Sequence, residues 1–422
     1  SLILLVFASC NTENKSVKSK MDFDGITASI KPGDNFFARV NKQWLDNAVI
    51  AEDQVGVGSY SFLNIPQKVL LENILTEVST KEHTEGSIEQ KVGDFYSSGM
   101  DTNTINELGY TPIKPILEEI EAIKNVASLM SFVTNQITSG NYSIIGMNVS
   151  PDNENSSVNI LHFGQAGLGL PDRDYYFKSD SVSVTIQNAY KNYLTTLFKL
   201  TDTKNADENA AIAYGIEKKL AASHKTRIER RNVKANYNKM AVSDINKSQP
   251  NIGWSKLLNQ LNLKADAVDI KQPAYYKELN TLLASVSISD WKTYLKAATL
   301  STYADILSKP FENANFEYAK VLYGQSTQKS RAQLMVQKVD RQLGFALGQL
   351  YVKRYFNEEA KKRVLDLVNN LQKAFANRIN QLDWMSDITK KQAKEKLYAI
   401  TKKVGYPDVW REYNVQIQKG KY

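Results

Sequence analysis

Apolar side chains recur every three or four residues along much of the chain, which predicts a mainly α-helical protein. One helix is expected to begin at Pro66, because a proline at the first helical position loses no hydrogen bond. Another is expected to begin at Thr389, which has capping-box spacing with Gln392, and to end at Gly405. We expect the clearest apolar stripes to pack in a core. They are Val69, Leu70, Ile74 and Val78; Ile212, Ile216 and Leu220; Val364, Val368, Leu371, Phe375 and Ile379; and Ala393, Leu397, Ile400 and Val404.

One stretch has the composition of β-strands instead. Residues 142–149 and 157–164 form two β-rich runs, and residues 151–155 between them, Pro-Asp-Asn-Glu-Asn, have strong turn chemistry. We therefore predict a β-hairpin. The predicted fold class is mainly α, a large multi-helix domain with one small β-hairpin.

A glycine-containing loop, residues 167–176, follows the hairpin with the sequence G-L-G-L-P-D-R-D-Y-Y. Its glycines allow tight turns that a β-carbon would block. Asp172, Arg173 and Asp174 can form a compact knot of ion pairs and hydrogen bonds. The loop lacks the third glycine or Lys-Ser/Thr of a phosphate-binding loop. We interpret it as a packed structural loop, with a ligand site as the alternative.

The length of 422 residues suits two or three domains, or one large helical domain. Gly and Pro are few, at 20 and 10 residues, which favours helices over turn-dense β folds. The net charge of +8 is mild and spread along the chain, so no nucleic-acid partner is predicted. The densest basic stretch is expected to be a solvated helix end or a salt-bridge site, with an anionic-ligand site as the alternative. It comprises Lys225, Arg227, Arg230, Arg231 and Lys234.

Residue types suited to catalysis are scarce. His83, His162 and His224 are far apart, and none belongs to an H-E-x-x-H motif or pairs with a Cys at ligand spacing. We expect His162 on a strand face and His83 in an exposed stretch. His224 is expected to end an alanine-rich helix, where a cation would interact favourably with the helix dipole. The residues alone therefore predict no catalytic and no metal-binding site in this chain.

The N-terminus has the features of an export signal. Residues 1–9 are an apolar run that ends in small side chains directly before Cys10, as in a bacterial lipoprotein signal. We predict that 1–9 are a remnant of that signal, that Cys10 carries lipid, and that 10–23 form a flexible tether. The protein would then be exported and anchored at the extracytoplasmic face of a membrane. A frayed apolar end, or an ordinary signal with an accidental cysteine, is the alternative.

Five segments match one family pattern in order along the chain. They are P-G-D-N-F-F from Pro32 with V-N and W-L after it, the loop 167–176, Y-N-K-M from Tyr237, G-Q-L-Y-V from Gly348, and residues 382–408. Together they resemble the N-terminal region of the neprilysin and endothelin-converting-enzyme family of zinc metalloendopeptidases. The signature positions are Pro32, Gly33, Asp34, Trp44, Gly167, Gly169, Pro171, Arg173, Asp174, Tyr175, Tyr237, Asn238, Trp384, Gly405 and Pro407.

The resemblance implies that residues 24–422 form a helical cap that faces a thermolysin-like zinc domain and restricts its chamber to oligopeptides. In that family a zinc-activated water cleaves the peptide bond, and H-E-x-x-H and a downstream glutamate hold the metal. These ligands are not recognisable here, so we expect the catalytic domain and its zinc to lie outside this chain. We interpret the chain as a fragment of a longer enzyme that is inactive alone, with a natural remnant as the alternative. Its implied partners are the catalytic domain, oligopeptide substrates, and the membrane through Cys10.

The resemblance also implies a substrate-chamber wall at Gly58, Ser59, Tyr60, Ser61 and Asn64. In some members this segment reads R-x-G-x-F-D-x-L-R. Ser61 and Asn64 stand where that pattern has aspartate and arginine, so the wall would be more neutral here. We also expect an isolated cap to expose the apolar face that meets its partner, and therefore to self-associate or to be marginally stable.

A second hypothesis is a non-catalytic, helix-rich surface lipoprotein that binds peptides or glycans. Its 22 Tyr and 5 Trp could supply stacking surfaces, although most are expected in the core.

Overall fold

The computed structural model describes residues 25–141 and 143–420. They belong to two compact units, one that ends at Leu63 and one that begins at Asn64. The predicted signal remnant, the tether up to residue 23 and the lipidated Cys10 lie outside the described residues, so they stay predictions.

The first unit contains helix α1 (Pro32–Asn47), with Pro32 at its first position. The proline suits this place because the first helical N–H has no partner within the helix. No residue of α1 is buried, and Phe36 and Phe37 of the first signature segment are 67% and 64% exposed. The signature helix therefore presents its aromatic side chains to solvent.

The second unit is mainly helical, which confirms the predicted fold class. Helix α2 spans Ser61–Ser79. The later helices are α3 (Ile88–Met100), α4 (Thr102–Leu108), α5 (Lys114–Glu121), α6 (Val126–Thr138), α7 (Asp174–Phe177), α8 (Ser181–Lys199), α9 (Ala206–Ala222), α10 (Arg227–Arg230), α11 (Val242–Ser248), α12 (Trp254–Gln260), α13 (Pro273–Ser285), α14 (Ile288–Tyr303), α15 (Lys309–Tyr323), α16 (Arg331–Tyr355), α17 (Glu358–Asn380) and α18 (Asp387–Tyr398).

The predicted hairpin exists and is half of a four-stranded mixed sheet. Strands β1 (Gly146–Pro151) and β2 (Asn159–Gly164) pair antiparallel. Strand β4 (Ala267–Ile270) pairs parallel to β2, and β3 (Lys239–Ala241) lies antiparallel on its far side, which gives the order β1-β2-β4-β3. Strands of three and four residues are too short to show alternation, so the sequence did not predict β3 and β4.

Three buried clusters hold the second unit together. The first packs the sheet against α12 and α13, with the Phe163 ring 4.9 Å from that of Trp254. The second lies among α8, α9, α14 and α15. The third joins α2 and α3 to α16 through residues such as Leu75 and Val339. The predicted stripes on α2 and α9 enter these cores in part, since Ile74, Val78, Ile216 and Leu220 are buried. Val69, near the start of α2, is 53% exposed and was wrongly predicted as core.

Two helix boundaries differ from the prediction. Helix α2 begins at Ser61 rather than Pro66, because a turn from Gly58 to Ser61 already starts the helical winding. Helix α18 begins after Ser386, whose hydroxyl caps the Thr389 N–H, and it ends at Tyr398 rather than at Gly405. Consequently Ile400 and Val404 lie beyond the helix, and Ile400 is exposed.

The stripe on α17 is the clearest error of the core prediction. The helix forms as expected, but of the predicted stripe Val364, Leu371 and Phe375 are exposed, Val368 is half-buried and Ile379 alone is buried. Leu367, on the same face, is 58% exposed. The reason is that α18 covers only one end of α17, where Ala376 and Ile379 pack on Leu397. We call the face formed by Val364, Leu367, Leu371 and Phe375 the α17 apolar face.

Candidate functional site

The glycines of the loop 167–176 are required by close contacts. Gly167 has φ of +89°, a conformation that favours glycine, and its carbonyl accepts a hydrogen bond from the Tyr294 hydroxyl at 3.0 Å. A β-carbon on Gly169 would lie only 1.7 Å from the Tyr190 hydroxyl oxygen. The loop is therefore packed closely against helices, as predicted for a structural loop.

The loop closes over one buried carboxyl group, that of Glu217 on α9. Its Oε2 accepts a hydrogen bond from the Tyr176 hydroxyl at 2.7 Å, and its Oε1 accepts one from the Tyr190 hydroxyl at 2.8 Å. The Gly169 N–H also bonds to it. Burial raises the pKa of the Glu217 carboxyl from 4.5 to about 7. Glu217 was not predicted from the sequence, where the available signal was an acidic side chain directly after Ile216 in the apolar stripe of α9.

The charged residues of the loop form the predicted knot. Arg173 lies 3.5 Å from Asp174, and Asp172 also pairs outside the loop with Arg227 of α10 at 2.5 Å. The Asp172 side chain also accepts the Asp174 N–H at 2.8 Å, and Pro171 is exposed while Tyr175 is half-buried. The basic stretch thus supplies a salt bridge between elements through Arg227, as one of its two interpretations predicted.

The histidines have structural surroundings. His162 is buried on strand β2, where its Nδ1 lies 2.7 Å from Asp269 Oδ2, so the predicted strand-face position is confirmed. His224 is buried after α9, and burial lowers the pKa of its ring to about 4, so it is neutral there and not the expected cation. His83 is half-buried, with Nε2 at 3.1 Å from the Val78 carbonyl oxygen, rather than exposed.

The Y-N-K-M segment joins the hairpin to strand β4. The Tyr237 hydroxyl donates a hydrogen bond to Asp152 at 2.7 Å. This bond raises the pKa of Tyr237 to about 12 and lowers the pKa of Asp152. Lys239 binds the other oxygen of Asp152 at 3.0 Å. The Asn238 N–H donates to Asp269 at 2.7 Å. Three consecutive motif residues therefore fix the sheet.

A cavity of about 960 Å³ lies between α16 and residues 405–415. Gly405 has φ of +72°, and Tyr406 stacks on Trp410 with the ring centres 5.9 Å apart. Pro407 also lines this cavity. The last signature segment, originally predicted to end a helix, therefore forms the wall of a groove lined with aromatic side chains.

The other predicted site residues are surface positions. Pro32, Gly33 and Asp34 are exposed at the start of α1, and Trp44 is half-buried. Trp384 is exposed. In the segment proposed as a chamber wall, the Ser61 hydroxyl accepts the Gly58 N–H at 3.0 Å, and Ser59, Tyr60 and Asn64 are exposed. Nothing in the structure tests a role for these residues in substrate binding.

Within residues 25–141 and 143–420, no three His, Cys, Asp or Glu side chains come together as a group that could hold a metal ion. These residues thus do not fit a zinc centre. No helix in that part of the chain is long and apolar enough to span a bilayer.

Comparison with known proteins gives consistent matches. The model of peptidase family M13 matches residues 32–407. Endothelin-converting enzyme-like 1 of Rattus norvegicus is 26% identical over 421 residues, which cover 94% of this chain and 54% of that protein. Endothelin-converting enzyme 1 of Cavia porcellus is 27% identical, covering 91% and 52%. The chain thus spans about half the length of the curated relatives it matches.

Solved structures agree with these matches. The zinc metalloprotease Zmp1 of Mycobacterium tuberculosis superposes with a TM-score of 0.87 at 28% identity, over 95% of this chain and 61% of that one. PepO of Lactobacillus rhamnosis shares the fold, with a TM-score of 0.80 at 20% identity, over 90% of this chain and 61% of that one.

Proposed function

The chain belongs to peptidase family M13, of which it is an N-terminal region, and we propose that it is the substrate-restricting cap of a zinc metalloendopeptidase. The observation that carries this proposal is the family match over residues 32–407, together with the superposition on Zmp1. In the proposed enzyme, a catalytic domain outside this chain binds zinc and hydrolyses oligopeptides. The cap contributes walls that exclude folded proteins from the chamber.

The exposed apolar surfaces support a partner of this kind. The α17 apolar face covers about three turns of a helix, and Phe36 and Phe37 on α1 are mostly exposed although they belong to a signature segment. Contiguous apolar surface of this extent is costly in water and is typical of interfaces. We assign both surfaces to contact with the catalytic domain.

The segment from Gly58 to Asn64 is proposed as part of the chamber wall. Tyr60 is 77% exposed, and Ser61 and Asn64 carry no charge. A wall of this composition would not select peptides by charge, in contrast to relatives that have Asp and Arg at these two places.

Lipid anchoring is a separate part of the proposal. It rests on the apolar run before Cys10 and on the polar residues after it. The test is the precursor with Cys10→Ala, which should be released from the membrane fraction. Retention equal to that of the wild-type precursor would contradict lipid attachment at Cys10.

The proposed enzyme is tested most simply by reading the coding DNA beyond the Tyr422 codon. We expect the open reading frame to continue and to encode an H-E-x-x-H motif and a downstream glutamate ligand. A stop codon directly after Tyr422, with no such motif encoded nearby, would contradict it.

A further inference from the structure

Glu217 is a buried acid without a counter-ion. In the part of the chain that the structure describes, no Lys, Arg or His lies within ion-pair distance of its carboxyl group. Its partners are two tyrosine hydroxyls and one backbone N–H, all of them neutral; the hydroxyls donate to the ionised carboxylate, and when it is protonated one hydroxyl turns to accept its proton. A buried carboxylate with neutral donors only is stabilised less than one with a cation, so its ionisation carries a cost in free energy.

The side chains that interact with this group are neutral tyrosines. Tyr176 of α7 and Tyr190 of α8 bond to it. Burial, followed by the charge of Glu217, raises the pKa of Tyr214 on α9 itself. The pKa of Tyr318 on α15 is also raised, first by burial and then by the charges of Tyr323 and Glu217.

Three cations of the neighbouring elements contact aromatic rings instead. Lys191 lies over the ring of Tyr214, and Lys218 and Arg173 lie over the ring of Phe177. Tyr294 of α14 donates to the Gly167 carbonyl. The environment thus offers Glu217 no opposite charge when it ionises.

The same carboxyl group holds the loop 167–176 in place. Tyr176 donates to Glu217 and at the same time accepts the Leu170 N–H at 3.0 Å. Gly169 bonds to the carboxyl directly, and its lack of a side chain lets Tyr190 reach the same group. Hydrating an ionised Glu217 would therefore require the loop to move away from α8 and α9.

We propose that Glu217 is a proton-sensitive contact that holds the loop 167–176 against α8 and α9 while it is protonated, and holds it less firmly once it ionises. The proposal concerns this chain alone and does not depend on peptidase activity. Since the pKa of the folded state is above that of the unfolded state, the folded state binds the extra proton between about pH 4.5 and 7. The stabilising effect is complete at acidic pH and is lost as the pH rises through about 7.

The test compares the wild-type chain with Glu217→Gln, which keeps the shape of the side chain but cannot ionise. Denaturant unfolding is measured from pH 5 to pH 8. The ratio of the unfolding constants of wild type and variant should rise by roughly 10²-fold over this range, because only the wild type acquires the buried charge. His224, which also contacts the start of the loop through the Ala166 carbonyl, is common to both proteins, so its effect cancels.

Hydrogen exchange of the Gly169 and Leu170 amides locates the effect. Their protection factors should fall with pH in the wild type and stay constant in Glu217→Gln. The matched control is Glu208→Gln, at an exposed position in the first turn of the same helix, which should behave as the wild type. A ratio of unfolding constants that does not change with pH, or equal loss of protection in both proteins, would overturn the proposal.

A second variant keeps the test decisive if Glu217→Gln does not fold. Tyr190→Phe removes one donor to the carboxylate, so the pKa of Glu217 should rise further. The midpoint of the loss of protection should then move to higher pH. A midpoint equal to that of the wild type would also overturn the proposal.

Discussion

His162 Nδ1 and Asp269 Oδ2 lie 2.7 Å apart, both side chains fully buried, and they join parallel strands that are 107 residues apart in the chain. The second oxygen of Asp269 accepts the Asn238 N–H, and His162 Nε2 lies 3.3 Å from the Pro151 carbonyl oxygen. One carboxylate therefore connects β2, β4 and the chain entering β3. The sheet beside the signature loop depends on this pair.

Asp269→Ala should destabilise the chain by about 3–5 kcal/mol, because it leaves buried polar groups of His162 and Asn238 without their acceptor. Denaturant unfolding at pH 7 measures the loss. Asp266→Ala, at an exposed position next to β4, is the matched control and should change stability by less than about 0.5 kcal/mol. Equal effects of the two substitutions would contradict the role assigned to Asp269.

Gly169→Ala and Gly215→Ala should have opposite effects. The new β-carbon at 169 would overlap the Tyr190 hydroxyl, so we expect a loss of about 1–3 kcal/mol. Gly215 lies inside α9 with no atom within 4 Å of an added β-carbon, and alanine there should stabilise the helix by up to about 1 kcal/mol. Thermal unfolding of both variants gives the signs directly. A neutral Gly169→Ala would show that the loop packs less closely than described.

His224 should make the chain less stable in acid. Burial lowers the pKa of its ring from 6.5 to about 4, so between these values the unfolded chain binds the proton that the folded chain does not. Stability should therefore fall by roughly 3 kcal/mol as the pH drops from 6.5 to 4. In His224→Gln this component should be absent, whereas His83→Gln should retain it.

The pH dependences of His224 and Glu217 oppose each other between about pH 4.5 and 6.5. In the wild type they partly cancel in that range. Each single substitution should therefore reveal the slope of the remaining group, with stability rising with pH in Glu217→Gln and falling with pH in His224→Gln. A flat profile in both variants would contradict the two assignments.

The α17 apolar face should cause the chain to self-associate. Leu371→Glu places a charge in this face and should weaken association by about tenfold or more, measured by sedimentation or light scattering. Asn370→Glu adds the same charge at the next, exposed position and should have little effect. A wild-type chain that stays monomeric at high concentration would argue against an interface on this face.

The sequence predicted the parts of the fold that depend on local pattern. Helix α9, which carries Ile216 and Leu220, and the hairpin were predictable because their periodicity appears in consecutive residues. Strand β4 and the pairing of His162 with Asp269 were not, since they join residues more than a hundred positions apart. The stripe on α17 has the pattern of a core helix, but periodicity indicates an apolar face without saying which surface covers it.

The candidate site was predicted only in part for the same reason. The loop 167–176 was recognisable from its glycines, but the purpose of Gly169 is set by Tyr190 and Glu217 on two later helices. Phe36, Phe37 and Trp384 belong to clear motifs, yet they lie exposed, and a motif does not indicate which surface covers it.

As proposed, this chain is the cap of a peptidase whose zinc-binding catalytic domain lies outside it. The most direct measurement is hydrolysis of a fluorogenic oligopeptide by the 422-residue chain and by the product of the complete reading frame, each with and without a chelator. We predict no hydrolysis by the 422-residue chain and chelator-sensitive hydrolysis by the longer product. Peptide cleavage by the 422-residue chain alone, or a longer product that is inactive with zinc supplied, would contradict the claim.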